Sequence, residues 1–392
     1  MTIPPLPNVK TEQFEILTRD GRTWLRGQID LPCLHPGPRY PAVLIANGGW
    51  FMDRDGFMGS SGTERDLVYR DLAKYFLSAG FAVVRYDNRG VRCNEMTMPD
   101  CPLGGELEVS RHYLNACIDA DVRQTVSVRT QMDDVEDVWN FTVNHVQVEA
   151  KRVVVWAHSE GGRNVGRLIS AKQISPLGVL MVGTATESPA GLVRWQMVDR
   201  YADHLMRWDD DGDGRVTHAD VNIHLPSDDL FPVVAIGFDI LTPPSDGWTF
   251  RTIHEHFSVI YETTKAAALN KPNDAPHPNQ SGEFRMVAAS NNWWTQWFQD
   301  TKPLIDHFTE YRGHLSFHIG EIDSQSPGLR QLTFAENRIN TGQFARPPRL
   351  VFHKGRGHSL RSGEPAAGPM DEAAKVCMVK EIEEILSGAG RE

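Results

Sequence analysis

The chain has 392 residues, 40% of them apolar and 23% charged, which suffices for one large domain with an insertion or for two domains. Its formal net charge of −11 would repel a polyanion, so nucleic acid and anionic membrane surfaces are excluded as partners. No run approaches the ~18 apolar residues of a membrane span, and the start MTIPPLPNVK lacks the charged-then-apolar pattern of a secretory signal, so a cytoplasmic protein is expected.

In chain order, EQFEILT, the turn RDGR and TWLRGQIDLP alternate as a hairpin does. YPAVLIANGG is an unbroken apolar run ending in glycines, as expected of a buried parallel strand. Residues 64–79 have helical spacing and stop at Gly80. FAVVRYD then predicts a strand, MDDVEDVWNFTVNHV an amphipathic helix, RVVVWAHS a strand, EGGRNVGRLISA a helix and LGVLMVGTA a strand. After residue 186 the alternation breaks for over a hundred residues. It resumes with a helix at KPLIDHFTEYRG, a strand at HLSFHIGEID, a helical stretch, a strand at RLVFHKG and a closing helix near 371–387. Strands alternating with helices predict a mostly parallel sheet of about eight strands, covered by helices on both faces and interrupted after the sixth. The five cysteines, Cys33, Cys93, Cys101, Cys117 and Cys377, are odd in number and scattered. That pattern argues against a disulfide framework and a zinc site. Cys93 and Cys101 could pair across one loop, but free thiols are the expectation.

The most informative stretch is WAHSEGG, Trp156 to Gly162, directly after RVVV. Ser159 lies at a strand–helix junction between Ala157 and Gly161, both small. Such a turn forces its central residue into a strained conformation and lifts the hydroxyl clear of the sheet, at the positive end of the next helix. A serine hydroxyl becomes a nucleophile only when a base takes its proton and a third group orients that base. In this topology acid and histidine should follow the serine, in that order, at the ends of later strands. SFHIGEIDSQSP supplies Asp323 just beyond a strand, with Glu321, inside the strand, as a weaker rival. LVFHKGRGHSL supplies His358 in a glycine-flanked loop, whereas His353 falls within the strand pattern and is structural. Donors for an oxyanion are the backbone N–H of Glu160 and one from Asn47-Gly48-Gly49-Trp50, where Gly49 is the choice and Trp50 the alternative.

These segments resemble the α/β-hydrolase superfamily, most closely the bacterial esterase branch allied to serine aminopeptidases and dienelactone hydrolases. NGGWFMDRDG is similar to its glycine-rich loop ending in DRDG, GFAVVRYDNRGVRCNE to a strand with the D-x-RG motif, and AHSEGG to the GHSEGG turn. WWTQWFQDTKPL, GEIDSQSP and GHSL continue the likeness, which covers most of 40–185 and 290–385. The resemblance implies ester, thioester or amide hydrolysis without a cofactor, with Ser159, Asp323 and His358 at the triad positions. Alanine replaces the usual first glycine of the turn, Arg92 stands where the family often has glycine, and the 96–128 loop is unusually long.

The expected organisation is a core of 1–185 and 301–392 with an inserted cap at 186–300. Residues 190–208 of the insertion predict an amphipathic helix leading into DDDGDGRVTHAD, Asp209 to Asp220, which has EF-hand loop spacing. Its ligands would be Asp209, Asp211, Asp213, the carbonyl of Arg215, Thr217 and Asp220, with Gly214 making the sharp turn. Aspartate at position twelve is shorter than the usual glutamate, Pro226 keeps the exiting helix short, and no second acidic loop appears. A structural calcium clamping the cap is therefore expected. The plain alternative is an acidic surface turn. Six tryptophans in the insertion, Trp195, Trp208, Trp248, Trp293, Trp294 and Trp297, suit a small core above a site for a bulky apolar or aromatic acyl group. The chain thus predicts a serine carboxylesterase acting on a small molecule. The alternatives are an amidase or peptidase with the same triad, a calcium-switched hydrolase, or a calcium-dependent binding protein on an inactive scaffold.

Overall fold

Main-chain pairing follows the apolar pattern of the sequence. A computed structural model describes residues 6, 8–35, 37–49, 52–61, 64–92, 116–225, 242–272, 290–362 and 369–388. Trp50, Cys93, Cys101, Pro226 and much of the 96–128 loop lie outside them.

The strands are β1 Val9–Leu17, β2 Trp24–Pro32, β3 Tyr40–Ala46, β4 Phe57–Ser61, β5 Glu64–Leu67, β6 Ala82–Tyr86, β7 Val148–His158, β8 Gly178–Val182, β9 His314–Gly320 and β10 Arg349–His353. Eight form one sheet in the order β1-β2-β6-β3-β7-β8-β9-β10. The sheet is mixed: β1 pairs antiparallel with β2 and β2 with β6, and the pairs from β6 to β10 are parallel. The antiparallel part is the predicted hairpin, whose half-exposed β1 alternates in burial as an edge strand does.

The helices used below are α1 Val68–Ser78, α2 Val128–Asn144 and α3 Glu160–Ser170. Next come α4, which runs from Pro189 through a π-turn at Trp195–Asp199 to Trp208, then α5 His218–His224, α6 Phe250–Asn270 and α7 Asn291–Gln299. Last are α8 Gly328–Ile339 and α9 Glu372–Gly388. Alternate residues of β7 serve opposite layers. Val153, Val155 and Ala157 pack with Val135, Val138 and Trp139 of α2 and with Val165 and Leu168 of α3. Val154 and Trp156 pack on the other face with Leu72 and Phe76 of α1 and Met378 and Ile382 of α9.

Three expectations change. The helical stretch at 64–79 divides: β5 closes a small antiparallel hairpin with β4, and α1 starts only at Val68. KPLIDHFTEYRG forms just a 3₁₀ turn at Leu304–Phe308, whose first two amides, those of Leu304 and Ile305, bond the carbonyls of Glu187 and Thr186. Cys117 is disulfide-bonded, not a free thiol as expected, and is fully buried; Cys33 and Cys377 are free.

The long connection from β8 to β9 has a core of its own, in which Trp195, Trp208, Trp248 and Trp297 are buried with Phe257 and Tyr201. Trp293 and Trp294 pack against its side. Among the described residues no helix is long and apolar enough to cross a membrane.

Candidate active site

Ser159 follows β7 and precedes α3, with φ +51° and ψ −122°, a conformation that side chains other than hydrogen adopt only under constraint. The constraint comes from three directions. The Ser159 amide donates to the Val182 carbonyl of β8 at 2.8 Å, and its own carbonyl accepts from Thr184 Oγ1 at 3.0 Å. A Cβ at Gly161 would lie 2.3 Å from the Asn47 carbonyl oxygen, and one at Gly162 would lie 2.5 Å from Thr184 Oγ1. Both glycines of the motif are therefore fixed by close approach of other chain segments. At the first small position the buried Ala157 pairs in register with Ala46 of β3 and Met181 of β8.

Asp323 stands three residues beyond β9 and His358 five beyond β10, both buried. His358 Nδ1 is 2.9 Å from each carboxylate oxygen of Asp323. That carboxylate is held in turn: Oδ1 accepts from the amides of Gln325 and Ser326 at 2.7 and 2.9 Å, and Oδ2 from Ser326 Oγ at 2.8 Å. The His358 loop sits over the end of β8, where a Cβ at Gly183 would come within 2.4 Å of the His358 carbonyl oxygen. The weaker rivals are employed elsewhere. Glu321 Oε2 accepts from the Gly355 amide at 2.8 Å, and His353 Nε2 lies 3.1 Å from His318 Nδ1.

The loop after β3 lies against the serine turn. The Gly48 amide donates to the Tyr69 hydroxyl at 2.9 Å, which removes it as an oxyanion donor and leaves Gly49 next in line. A Cβ at Gly49 would meet Glu160 Oε2 at 2.3 Å, so Gly49 and Glu160, the two expected donors, are neighbours. Behind them the loop is pinned by ion pairs: Arg54 Nε to Asp87 Oδ1 at 3.1 Å, Arg85 Nη2 to Asp30 Oδ2 at 2.8 Å, and Arg85 to Asp55. Asp53, beside them, has its carboxyl pushed up to about 8, first by burial and then by Asp55 and Asp87.

Three contributors escaped the sequence reading. The Tyr69 hydroxyl also lies 3.1 Å from His158 Nδ1, and burial raises the tyrosine out of its ordinary range so that it stays protonated. His158 is held well below its ordinary value, chiefly by burial and then by His358, whose ring centroid is 5.1 Å away. Trp293 Nε1 of α7 donates to Glu160 Oε1 at 2.6 Å, which links the insertion to the residue after the serine. The position of His158 beside Ser159 was visible in AHS; the contributions of Tyr69 and Trp293 depend on long-range packing and had no local signal.

In the acidic loop, Asp209, Asp211 and Asp213 place carboxylate oxygens within 4.8 Å of one another. Gly212 and Gly214 make the turn with φ +71° and +81°. This oxygen-only group suits a hard cation. Asp220 is not part of it. Its Oδ2 accepts from the Thr217 amide and Thr217 Oγ1, both at 2.7 Å, which caps α5 and holds the carboxyl below its ordinary value. Thr217 is committed to the same cap. Arg215 donates from its amide to Asp213 Oδ1 at 2.8 Å and from its guanidinium to the Asp246 carbonyl at 2.6 Å. α5 ends at His224, ahead of Pro226. The loop also has a partner: Val216 and Trp248 exchange two main-chain hydrogen bonds of 2.7 and 2.8 Å.

No family model and no curated relative matches this chain. Solved structures do. A lipase in its open form aligns over 96% of this chain and 99% of its own, at 12% identity and a TM-score of 0.50. The esterase Est1E from Butyrivibrio proteoclasticus aligns over 96% and 99%, at 12% identity and a TM-score of 0.49. The α/β hydrolase GrgF from Penicillium sp. sh18 aligns over 96% and 98%, at 15% identity and a TM-score of 0.46. Identities this low speak to architecture alone. With the eight-stranded mixed sheet and its two helical layers, the match to the open-form lipase shows that the chain has the α/β-hydrolase fold.

Proposed function

We propose that the protein is a serine hydrolase that cleaves carboxylic esters through an acyl-enzyme. The observation that carries this reading is His358 Nδ1 lying 2.9 Å from both oxygens of Asp323, with the His358 ring 5.1 Å from that of His158, the residue before a serine in a left-handed strand–helix turn. In this mechanism Ser159 attacks the carbonyl carbon while His358 takes its proton and Asp323 stabilises the imidazolium. The amides of Glu160, at the start of α3, and of Gly49 stabilise the oxyanion. His358 then returns the proton to the leaving alcohol, and water, deprotonated by the same histidine, releases the acid. The aromatic core of the insertion favours a bulky apolar or aromatic acyl group under a cap. A fluorophosphonate should add once to the native chain and not at all to Ser159→Ala, read by intact mass. Absence of labelling in the folded native chain would sink the reading.

The acidic loop would hold calcium through Asp209, Asp211, Asp213 and the Arg215 carbonyl as a structural ion, apart from the chemistry. Saturating calcium should raise Tm by about 2 °C or more. Asp211→Asn should remove most of that rise, with ester turnover unchanged by calcium. Calorimetry that detects no calcium binding to the native chain would eliminate this role.

A further inference from the structure

The insertion reaches the loop that carries Asp323. α4 leaves α-helical pairing at Trp195–Asp199, where the Arg200 amide bonds the Trp195 carbonyl five residues back. The Gln196 carbonyl accepts from Arg200 Nε at 3.2 Å, which joins these two side chains into one group. Gln196 Nε2 donates to the Gln325 carbonyl at 2.7 Å. Arg200 Nη1 donates to the Ser324 carbonyl at 3.1 Å and to Gln325 Oε1 at 3.3 Å.

The Ser324 and Gln325 carbonyls belong to the peptide groups whose other ends are the amides of Gln325 and Ser326. Those amides donate to Asp323 Oδ1 at 2.7 and 2.9 Å. Both peptide groups are trans, so the C=O and N–H of each point opposite ways. Each therefore stands between a donor on the insertion and the carboxylate that faces His358. A hydrogen bond to the carbonyl end polarises the group and strengthens the bond its N–H donates, most of all when the donor is charged. Arg200 is 7% exposed and, among the described residues, forms no ion pair; its remaining partners are the Tyr201 side chain and the ring of Trp195. Burial lowers the guanidinium from its ordinary value, and the carboxylate that opposes this is Asp323. Packing alone would be served as well by an apolar side chain of similar volume, so the charge calls for another role.

We propose that Arg200, together with Gln196, is a positioning residue for the triad acid, acting on Asp323 through the two peptide groups that follow it. The inference rests on the hydrolase reading, in which Asp323 orients His358. It makes the insertion a working part of the site as well as a cover. Because the action is on the carboxylate and its hold on His358 Nδ1, it enters kcat and leaves KM unchanged.

The test is a double-mutant cycle on the full chain, with kcat and KM measured on an activated aryl ester and folding verified by circular dichroism. Arg200→Met should lower kcat about tenfold in the native background and less than about twofold in the Asp323→Asn background, where the carboxylate it acts on is gone. A merely structural contact would cost the same in both. Gln196→Leu, at a half-buried position, should show the same pattern at about threefold, and it decides the matter if Arg200→Met does not fold. Equal losses with and without the carboxylate, an effect confined to KM, or no loss in either folded variant would overturn the inference. Fluorophosphonate labelling of the native chain reports separately on the hydrolase reading, so the two failures are distinguishable.

Discussion

Replacing Asp323 by Asn is expected to lower kcat by about 10⁴-fold with little change in fold or KM. The carboxylate faces His358 Nδ1 with both oxygens while accepting two main-chain amides and one hydroxyl. An asparagine can retain the main-chain bonds through its amide oxygen. Its nitrogen then faces Nδ1, donates where the carboxylate accepted, and holds the imidazole in the tautomer that cannot take the serine proton. Steady-state kinetics on an activated aryl ester, with circular dichroism to verify folding, would check this. A loss smaller than about tenfold in a folded variant would mean that Asp323 does not orient the base.

Gly161→Ala is expected to have the largest effect on stability, roughly 3 kcal/mol of destabilisation. The added methyl would point at the carbonyl oxygens of Asn47 and Ala46, 2.3 and 2.5 Å from its ideal position. Those are main-chain atoms at the end of β3, in the middle of the sheet, so no flexible side chain can move aside. Relief would require α3 to shift and the Ser159 turn to open, and ester turnover should fall along with stability. Gly388→Ala, where nothing lies within 4 Å, is the control and should be near neutral. Urea unfolding of the two variants measures the contrast. A Gly161→Ala chain as stable as the control would show that α3 yields more easily than its packing indicates.

The parts legible in the sequence are those set by period and order. β3 and β7 are buried on both faces, so their apolar runs are continuous and stand out, and the interruption after the sixth strand of the main sheet is where the alternation breaks. The serine turn was legible because close approach of chain segments leaves no room for side chains at 161 and 162, and Asp323 and His358 because strand ends fix where loops begin. The illegible parts depend on partners distant in sequence. Residues 64–67 have helical spacing, yet they pair with β4. The stretch from Leu304 has helical spacing, yet it makes only a 3₁₀ turn, tied through its first amides to the chain at Thr186 and Glu187.

The Val216–Trp248 pair bears on how the insertion responds to force. Each of these residues immediately precedes a threonine that caps a helix, Thr217 for α5 and Thr249 for the 21-residue α6. The two hydrogen bonds thus act as a pin joining the roots of two helices, one beside the aspartates and the other driven into the aromatic core through Ile253, Phe257 and Tyr261. The far end of α6, at Ala268, is tied in turn to Asn291 at the start of α7. Two residues further along α7, Trp293 holds the glutamate that follows Ser159.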